Sequence, residues 1–107
     1  MNNITVTICT LNEEKNIKEC IESIKEEDPN EIIVVDASSK DKTQEIVKQL
    51  GVKLIVVERK GLAFQRKIAI ENVKTEYVCI LDADHIIKKN SFNLLIEQMN
   101  KNNYVGI

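Results

Sequence analysis

The sequence contains no tryptophan, and phenylalanine and tyrosine together make up 4% of its 107 residues. This shortage of aromatic side chains argues against an aromatic platform for carbohydrates or stacked nucleobases. No apolar run approaches the length needed to cross a membrane, and the N-terminus lacks the basic segment of a signal peptide. The formal net charge of −2 excludes strong non-specific attraction to nucleic acid or anionic lipid. We therefore expect a cytoplasmic location, no nucleic-acid partner and no membrane segment.

Cysteine, proline and glycine are also scarce. The three cysteines, Cys9, Cys20 and Cys79, are odd in number, lack Cys-x-x-Cys spacing and lie within apolar patterns. They are typical of small core residues in a reducing compartment rather than of disulfides or metal ligands. One proline and three glycines leave no candidate linker, so residues 1–107 are predicted to form a single domain.

Segments with strand character alternate with segments of helical periodicity along the chain. Strands are predicted at residues 4–9, 32–35, 52–57 and 77–81, with a fifth beginning at 104–107. This alternation predicts an α/β fold of three layers, α/β/α, with right-handed crossovers. The sheet should be mostly parallel and Rossmann-like, with a strand order resembling 3-2-1-4.

The helix boundaries are predicted from capping signals. Asn12 is expected to cap the first helix, and Asp41 with Gln44 offers a capping box for the second, which Gly51 closes. A third helix is predicted over residues 62–73, and a fourth is expected to start at residue 90 or 91.

Two carboxylates follow the fourth predicted strand abruptly. The apolar run of residues 77–81 ends at Asp82, and Ala83 separates this residue from Asp84. Carboxylate oxygens suit Mg²⁺ or Mn²⁺, and an Asp-x-Asp spacing lets both side chains reach one ion. Alternatively, the two acids open a solvated loop, which is the better interpretation of this segment alone. His85 could contact a metal or phosphate, but a lone histidine is more often an ordinary loop residue.

Polar side chains also follow the first and second predicted strands. The chain reads Thr10-Leu11-Asn12 after the first strand and Asp36-Ala37-Ser38 after the second. The carboxyl ends of parallel strands meet at one edge of the sheet, where open α/β sheets bind their ligands. A strand order of 3-2-1-4 would place these two turns beside the acidic segment.

Each of these residues also has an ordinary structural interpretation. Asn12 can serve only as a helix cap, and Glu14 can serve only to complement a helix dipole. Asp36 and Ser38 can form a simple turn, and Arg66 can lie on a solvated helix face. Their predicted meeting at one sheet edge, rather than any single residue, favours a binding site.

Four segments together carry a recognisable pattern. They are TICTLNEE at residues 7–14, IVVDASSKDKT at 33–43, GLAFQR at 61–66 and ILDAD at 80–84. In this order and at this spacing they resemble the family 2 glycosyltransferases of the GT-A fold. The resemblance implies a domain that binds a nucleoside-diphosphate sugar, of the UDP or GDP type, together with Mg²⁺ or Mn²⁺. Intact members transfer the sugar to an acceptor with inversion.

Carried over position by position, the resemblance implies a set of nucleotide-sugar contacts. They would be made by Thr10, Leu11, Asn12, Glu14, Asp36, Ser38, Arg66, Asp82 and Ala83. Asp36 would accept a hydrogen bond from the base, because uracil presents an N–H donor, and Arg66 would meet the diphosphate. Asp84 would bind the metal directly, with Asp82 as the supporting group.

The resemblance also implies what the chain lacks. Family members continue with strands that supply the acceptor site and a catalytic base. The base is therefore expected beyond Ile107, and the chain is expected to be the nucleotide-binding half only. An open sheet edge would then favour homo-oligomers. The acceptor is unknown. Two alternatives stay open: a non-catalytic nucleotide-binding module, and a phospho-acceptor receiver domain, which the absence of paired acids after the first strand disfavours.

Overall fold

The computed structural model describes residues 3–88. Four strands and three helices alternate along this part of the chain. The strands are β1 (Ile4–Thr10), β2 (Glu31–Asp36), β3 (Lys53–Val56) and β4 (Tyr77–Asp82). The helices are α1 (Ile17–Lys25), α2 (Thr43–Gln49) and α3 (Leu62–Glu71). The predicted fourth helix and fifth strand lie outside the described residues.

The four strands form one parallel sheet in the order β3-β2-β1-β4. This arrangement confirms the predicted α/β class and the predicted order of 3-2-1-4. The central strand β1 pairs with β2 on one side and β4 on the other, and both are reached through helical crossovers. The two central strands are buried along almost their whole length, which explains their nearly continuous run of apolar and β-branched residues.

Helices cover both faces of the sheet, which makes the fold a three-layer one. The larger core contains Ile8 and Val34 from the sheet, packed with Ile21 of α1 and Val47 of α2. The smaller core joins the opposite face of β2 to Ala69 of α3. Successive residues of a strand point to opposite faces, so β2 contributes Val34 to the larger core and Ile33 and Val35 to the smaller one.

The start of the first helix differs from the sequence prediction. The helix begins at Ile17 with Asn16 at its N-cap position, so the prediction that Asn12 caps it is wrong. Asn12 adopts a left-handed backbone conformation with φ of 55°, and its side-chain oxygen accepts a hydrogen bond from the backbone N–H of Lys40. A contact with the second strand's loop thus replaces the expected cap.

The second and third helices differ less. Asp41 Oδ1 accepts the backbone N–H of Thr43 at 2.9 Å, but Gln44 turns inward and does not complete the predicted capping box. Gly51, with φ of 73°, follows the end of the second helix as predicted. The third helix ends at Glu71 rather than at residue 73.

No helix within residues 3–88 has both the length and the apolar character that crossing a membrane requires.

Candidate functional site

The predicted site residues gather at the carboxyl-terminal edge of the sheet. In the strand register Thr10 lies opposite Asp36, and Cys9 lies opposite Asp82. The ends of β2, β1 and β4 are therefore side by side. The loops that follow these strands meet at this edge, where ligands of open parallel sheets bind.

Asp36 is the centre of a buried hydrogen-bond network. Its Oδ1 accepts the hydroxyls of Thr10 at 2.6 Å and of Ser39 at 2.5 Å. Its Oδ2 accepts the backbone N–H of Ser39 and the side-chain amide of Gln44, both at 2.8 Å. The Asp36 side chain is completely buried. Four donors occupy the roughly four acceptor positions of a carboxylate, so a nucleobase N–H could bind here only by displacing one of them.

Hydrogen bonds also join the loop after β1 to the loop after β2. The backbone N–H of Asn12 donates to Ser39 Oγ at 2.7 Å, and the Asn12 side chain accepts the N–H of Lys40 at 2.9 Å. One residue further on, the backbone N–H of Glu13 donates to Thr43 Oγ1 at 2.8 Å. These contacts cross between loops about 27 to 30 residues apart in sequence and make the two loops one structural unit.

Asp41 extends the same junction at the start of α2. Partial burial raises the pKa of the Asp41 carboxyl, but hydrogen bonds from Thr43 and from the backbone N–H of Glu14 outweigh this effect, so the pKa is lowered overall. The hydrogen bond from Glu14 spans 3.1 Å. The ionised form of Asp41 is thus the form that this junction favours.

The residues predicted to contact a nucleotide divide into a surface layer and a buried layer. Leu11, Asn12, Glu14 and Ser38 are exposed at the loop surface. Thr10, Asp36 and Ala83 are buried behind it. Ser38 Oγ donates to the carbonyl of Val57 at 2.8 Å, which ties the surface layer to the chain after β3. The surface layer is available to a ligand, and the buried layer fixes its shape.

The acidic segment after β4 forms a tight turn. Ala83 is 1% exposed and belongs to the larger core, while Asp82 and Asp84 on either side of it are exposed. The backbone N–H of His85 donates to the carbonyl of Asp82 at 3.1 Å and closes the turn. One ligand atom from each of Asp82, Asp84 and His85 lies within 4.8 Å of the other two.

The chemistry of this donor set fits a divalent cation. Carboxylate oxygens are the preferred ligands of Mg²⁺ and Mn²⁺, and an imidazole nitrogen is a good ligand for transition-metal ions. All three side chains are exposed and can rotate. The two aspartates predicted to hold a metal are therefore brought together, and the structure adds His85 to them.

Arg66 approaches the acidic turn from α3. One of its guanidinium nitrogens lies 3.9 Å from Asp82 Oδ1, and both side chains are about half exposed. This separation is too long for a hydrogen bond, and an exposed ion pair of this kind stabilises a fold very little. The guanidinium carries five N–H donors in a planar fork that matches phosphate oxygens. Arg66 is thus placed where an anion bound at the acidic turn would meet it.

Gln65 has a structural role that the sequence analysis did not predict. The side-chain amide of Gln65 donates to the carbonyls of Thr10 and Val35, both at 3.0 Å, although the residue is 5% exposed. It thereby anchors α3 to the ends of β1 and β2. The available signal was that a polar residue stood on the otherwise apolar, inward face of a predicted helix.

The cysteines beneath the acidic turn behave as core residues. Burial raises the pKa of Cys20 to about 11, with added repulsion from Asp84 and Glu13. Burial likewise raises the pKa of Cys79 to about 12, with added repulsion from Cys20. Because the thiolate is the reactive and metal-binding form, both thiols are inert at neutral pH.

A cleft of about 310 Å³ lies at the opposite edge of the sheet. Its lining includes Lys25 at the end of α1, Glu31 at the start of β2 and Lys53 at the start of β3. None of the predicted site residues lines this cleft. Its position at the amino-terminal ends of the strands separates it from the site described above.

Known proteins with similar sequences include a teichoic acid polymerase and glycosyltransferases. The teichoic acid poly(glycerol phosphate) polymerase of Staphylococcus epidermidis is 35% identical over 109 residues, which cover 94% of this chain and 15% of that protein. Glycosyltransferase GlyG of Streptococcus pneumoniae is 36% identical over 104 residues, which cover 90% of this chain and 35% of that protein. The chain thus spans well under half the length of either relative.

Solved structures share the fold. TarS 1–349 of S. aureus in complex with UDP is 25% identical with a TM-score of 0.76, over 94% of this chain and 32% of that one. Glucosyl-3-phosphoglycerate synthase of Mycobacterium tuberculosis, in complex with Mn²⁺, UDP and glucosyl-3-phosphoglycerate, is 25% identical with a TM-score of 0.76. That match covers 91% of this chain and 39% of the synthase.

The family model described as glycosyl transferase family 2 matches residues 5–107. This match takes in β2, β3, β4, all of β1 except Ile4, and the three loops at the carboxyl-terminal edge. The chain therefore belongs to glycosyl transferase family 2.

Proposed function

We propose that this chain is the donor-binding part of a metal-dependent glycosyltransferase. It would bind a uridine or guanosine diphosphate sugar through Mg²⁺ or Mn²⁺ and present the sugar for transfer to an acceptor with inversion. The roles proposed for the described residues concern donor binding. None of these residues is assigned a role in binding or activating the acceptor.

One observation carries the proposal: Asp82, Asp84 and Arg66 meet at the sheet edge beside the loops that follow β1 and β2. Carboxylates repel a diphosphate unless a cation lies between them. A guanidinium repels a metal ion that has no bound anion. Acids and an arginine together are suited to a metal ion that is itself bound to phosphate. A divalent cation there would stabilise the negative charge that develops on the leaving nucleoside diphosphate.

The side chains of the chain would then divide the ligand between them. Asp84 would bind the metal, with Asp82 beside it. Arg66 would turn from its long contact with Asp82 and donate to the diphosphate oxygens, which accept stronger hydrogen bonds than a carboxylate 3.9 Å away. The Ala83 side chain is packed into the larger core, so a ribose contact at this position would be made by the backbone of the turn.

The nucleoside would lie on the joined loops after β1 and β2. Leu11 is 39% exposed and offers an apolar surface to the base or ribose. Asn12, Glu14 and Ser38 would supply polar contacts around it, and Thr10 would support them from below. Asp36 could accept the base N–H only if one of its four present donors moved away.

Similar proteins support the choice of ligand. Two of the structures that share this fold at 25% identity are complexes with UDP, one of them also with Mn²⁺. UDP with MnCl₂ is therefore the first ligand to test.

Isothermal titration calorimetry of UDP in the presence of MnCl₂ and in the presence of EDTA tests the proposal. We expect binding to require Mn²⁺, and we expect Asp84→Asn to abolish this requirement together with the tight binding. Glu71→Gln is the matched control, because it removes one exposed carboxylate at the end of α3, at the opposite edge of the sheet. Equal UDP affinity with and without metal would contradict the proposal.

Arginine substitution gives a second, independent measurement. We expect Arg66→Met to weaken UDP binding by about tenfold to a hundredfold, since a charge-assisted hydrogen bond contributes about 1.5–3 kcal/mol. Lys74→Met removes an exposed cation just after α3, at the far edge of the sheet, and should leave the affinity unchanged. A sugar-transfer assay separates an enzyme from a non-catalytic binding module, and light scattering tests the predicted homo-oligomer.

A further inference from the structure

We infer that His85 is a third protein ligand of the metal at the acidic turn, and that it makes the site favour Mn²⁺ over Mg²⁺. The inference deepens the proposed function and rests on it, because it concerns the ion held by Asp82 and Asp84. It assigns a metal preference to a residue that the Asp-x-Asp pattern does not contain.

The positions of the ligand atoms support three-point binding. One atom of each of Asp82, Asp84 and His85 lies within 4.8 Å of the others. In an octahedral ion with bonds of about 2.1 Å, neighbouring ligand atoms are about 3 Å apart and opposite ones about 4 Å apart. Because the three side chains are exposed, rotation of the side chains can bring these atoms to this spacing.

The backbone of the turn is held on both sides of His85. Before it, Ala83 is packed into the larger core, and the His85 N–H donates to the Asp82 carbonyl. After it, the backbone N–H of Ile87 donates to Ser23 Oγ on α1 at 3.0 Å. The imidazole therefore starts from a fixed Cα position next to the carboxylates, which lowers the entropy cost of bringing it to a metal.

The chemistry of imidazole sets the preference. Mg²⁺ binds oxygen ligands and keeps several of its waters, whereas imidazole nitrogen is a ligand of transition-metal ions. Two carboxylates alone suit Mg²⁺ and Mn²⁺ alike. Addition of a neutral nitrogen donor favours Mn²⁺, so replacing His85 should bring the affinities for the two ions closer together.

The composition of the chain makes the test unusually direct, because the sequence contains one histidine. We would prepare the 107-residue chain without a histidine tag, once with natural histidine and once with ¹⁵N-histidine. Electron spin-echo spectroscopy of the chain with MnCl₂, with and without UDP, detects nitrogen bound to the ion. We expect an imidazole nitrogen signal that changes from the ¹⁴N to the ¹⁵N pattern with the label.

Metal titrations give the second readout. We expect His85→Asn to lose the nitrogen signal and to lower Mn²⁺ affinity by about tenfold or more, since even outer-shell partners of metal ligands change affinity by about 10–100-fold. Mg²⁺ affinity, measured by competition, should change by less than about threefold. Ile86→Ala, at a 63% exposed neighbour without a ligand atom, is the control and should change neither value.

The outcomes separate this inference from the proposed function. Binding of Mn²⁺ that depends on Asp84 but shows no imidazole nitrogen would overturn the role of His85 and leave the proposed function standing. Absence of Mn²⁺ binding, with and without UDP, would overturn both. An imidazole signal together with equal losses of Mn²⁺ and Mg²⁺ affinity in His85→Asn would overturn the metal preference.

Discussion

Replacement of Asp36 tests whether its carboxylate organises the loops that form the site. The side chain is fully buried and accepts four hydrogen bonds, from Thr10, Gln44 and twice from Ser39. The donor residues lie at the end of β1, in the loop after β2 and at the start of α2. Loss of the carboxylate should therefore loosen the whole edge rather than one turn.

The two most informative substitutions are Asp36→Asn and Asp36→Ala. In Asp36→Asn the amide oxygen can face the Ser39 N–H and Gln44, while the amide nitrogen faces two hydroxyls, which can rotate to accept. Each bond loses its charge-assisted strength, about 1 kcal/mol, and the lower cost of burying a neutral group offsets part of this. We expect a net loss of about 2 kcal/mol. Asp36→Ala leaves buried donors without acceptors and should cost about 4 kcal/mol.

Urea unfolding followed by circular dichroism measures both losses. Glu45→Gln removes an exposed carboxylate from α2 and should stay within about 0.5 kcal/mol of the unchanged chain. An Asp36→Ala variant that loses less than about 1 kcal/mol would refute the reasoning. UDP calorimetry on Asp36→Asn then isolates the predicted base contact: a folded variant with near-normal stability and lost UDP binding would mean that Asp36 contacts the base directly.

Three further predictions concern residues around the site. The pKa values of Cys20 and Cys79 are raised to about 11 and about 12 from 9.0. The contribution of the two thiols to stability is therefore complete below pH 9 and is lost as the pH rises toward these values. In a Cys20→Ala/Cys79→Ala variant, the free energy of unfolding measured in urea should fall less steeply with rising pH. The pKa of Asp41 lies below its ordinary 3.8, so the contribution of this carboxylate to stability is present above pH 3.8 and is lost as the pH falls through the lowered pKa. Asp41→Asn should therefore make the free energy of unfolding depend less on pH in the acid range, and an unchanged dependence would contradict this. Gln65→Met preserves side-chain length but removes a donor from the buried carbonyl of Val35 and one of the two donors of the Thr10 carbonyl, which also accepts the backbone N–H of Ala37. It should lower the free energy of unfolding by about 2 kcal/mol in urea, at about 1 kcal/mol for each lost hydrogen bond, and a loss below about 0.5 kcal/mol would contradict the anchoring role.

The α/β class and the parallel sheet were predictable because strand and helix segments alternate and crossovers are right-handed. The apolar and β-branched runs of β1 and β2 agree with their burial on both faces in the middle of the sheet. The run of residues 77–81 is equally apolar, yet the residues of β4 alternate between buried and exposed after Val78, with Ile80 36% exposed. In the described sheet β4 is an edge strand, and strand position cannot be judged from composition alone.

The start of the first helix was not predictable from local rules. Asn12 followed by Glu13 and Glu14 has the composition of a helix start. In the structure, the backbone and side chain of Asn12 bind Ser39 and Lys40 instead, and the helix starts at Ile17. A capping rule compares residues three or four positions apart, so it does not register partners about 27 positions away.

The same long-range contacts explain how an exposed site can have a defined shape. The side chains that would touch a nucleotide, Leu11 and Ser38 among them, lie on loops that would be mobile if they stood alone. Asp36 joins the two loops from beneath, and Gln65 fixes α3, with the neighbouring Arg66, to the same strand ends. The distance between Arg66 and the exposed loop residues is therefore set by the buried Asp36 carboxylate and Gln65 amide, not by the exposed residues themselves. A substitution at Gln65 should consequently move Arg66 relative to the loops and weaken diphosphate binding even though Gln65 is too buried to touch the ligand.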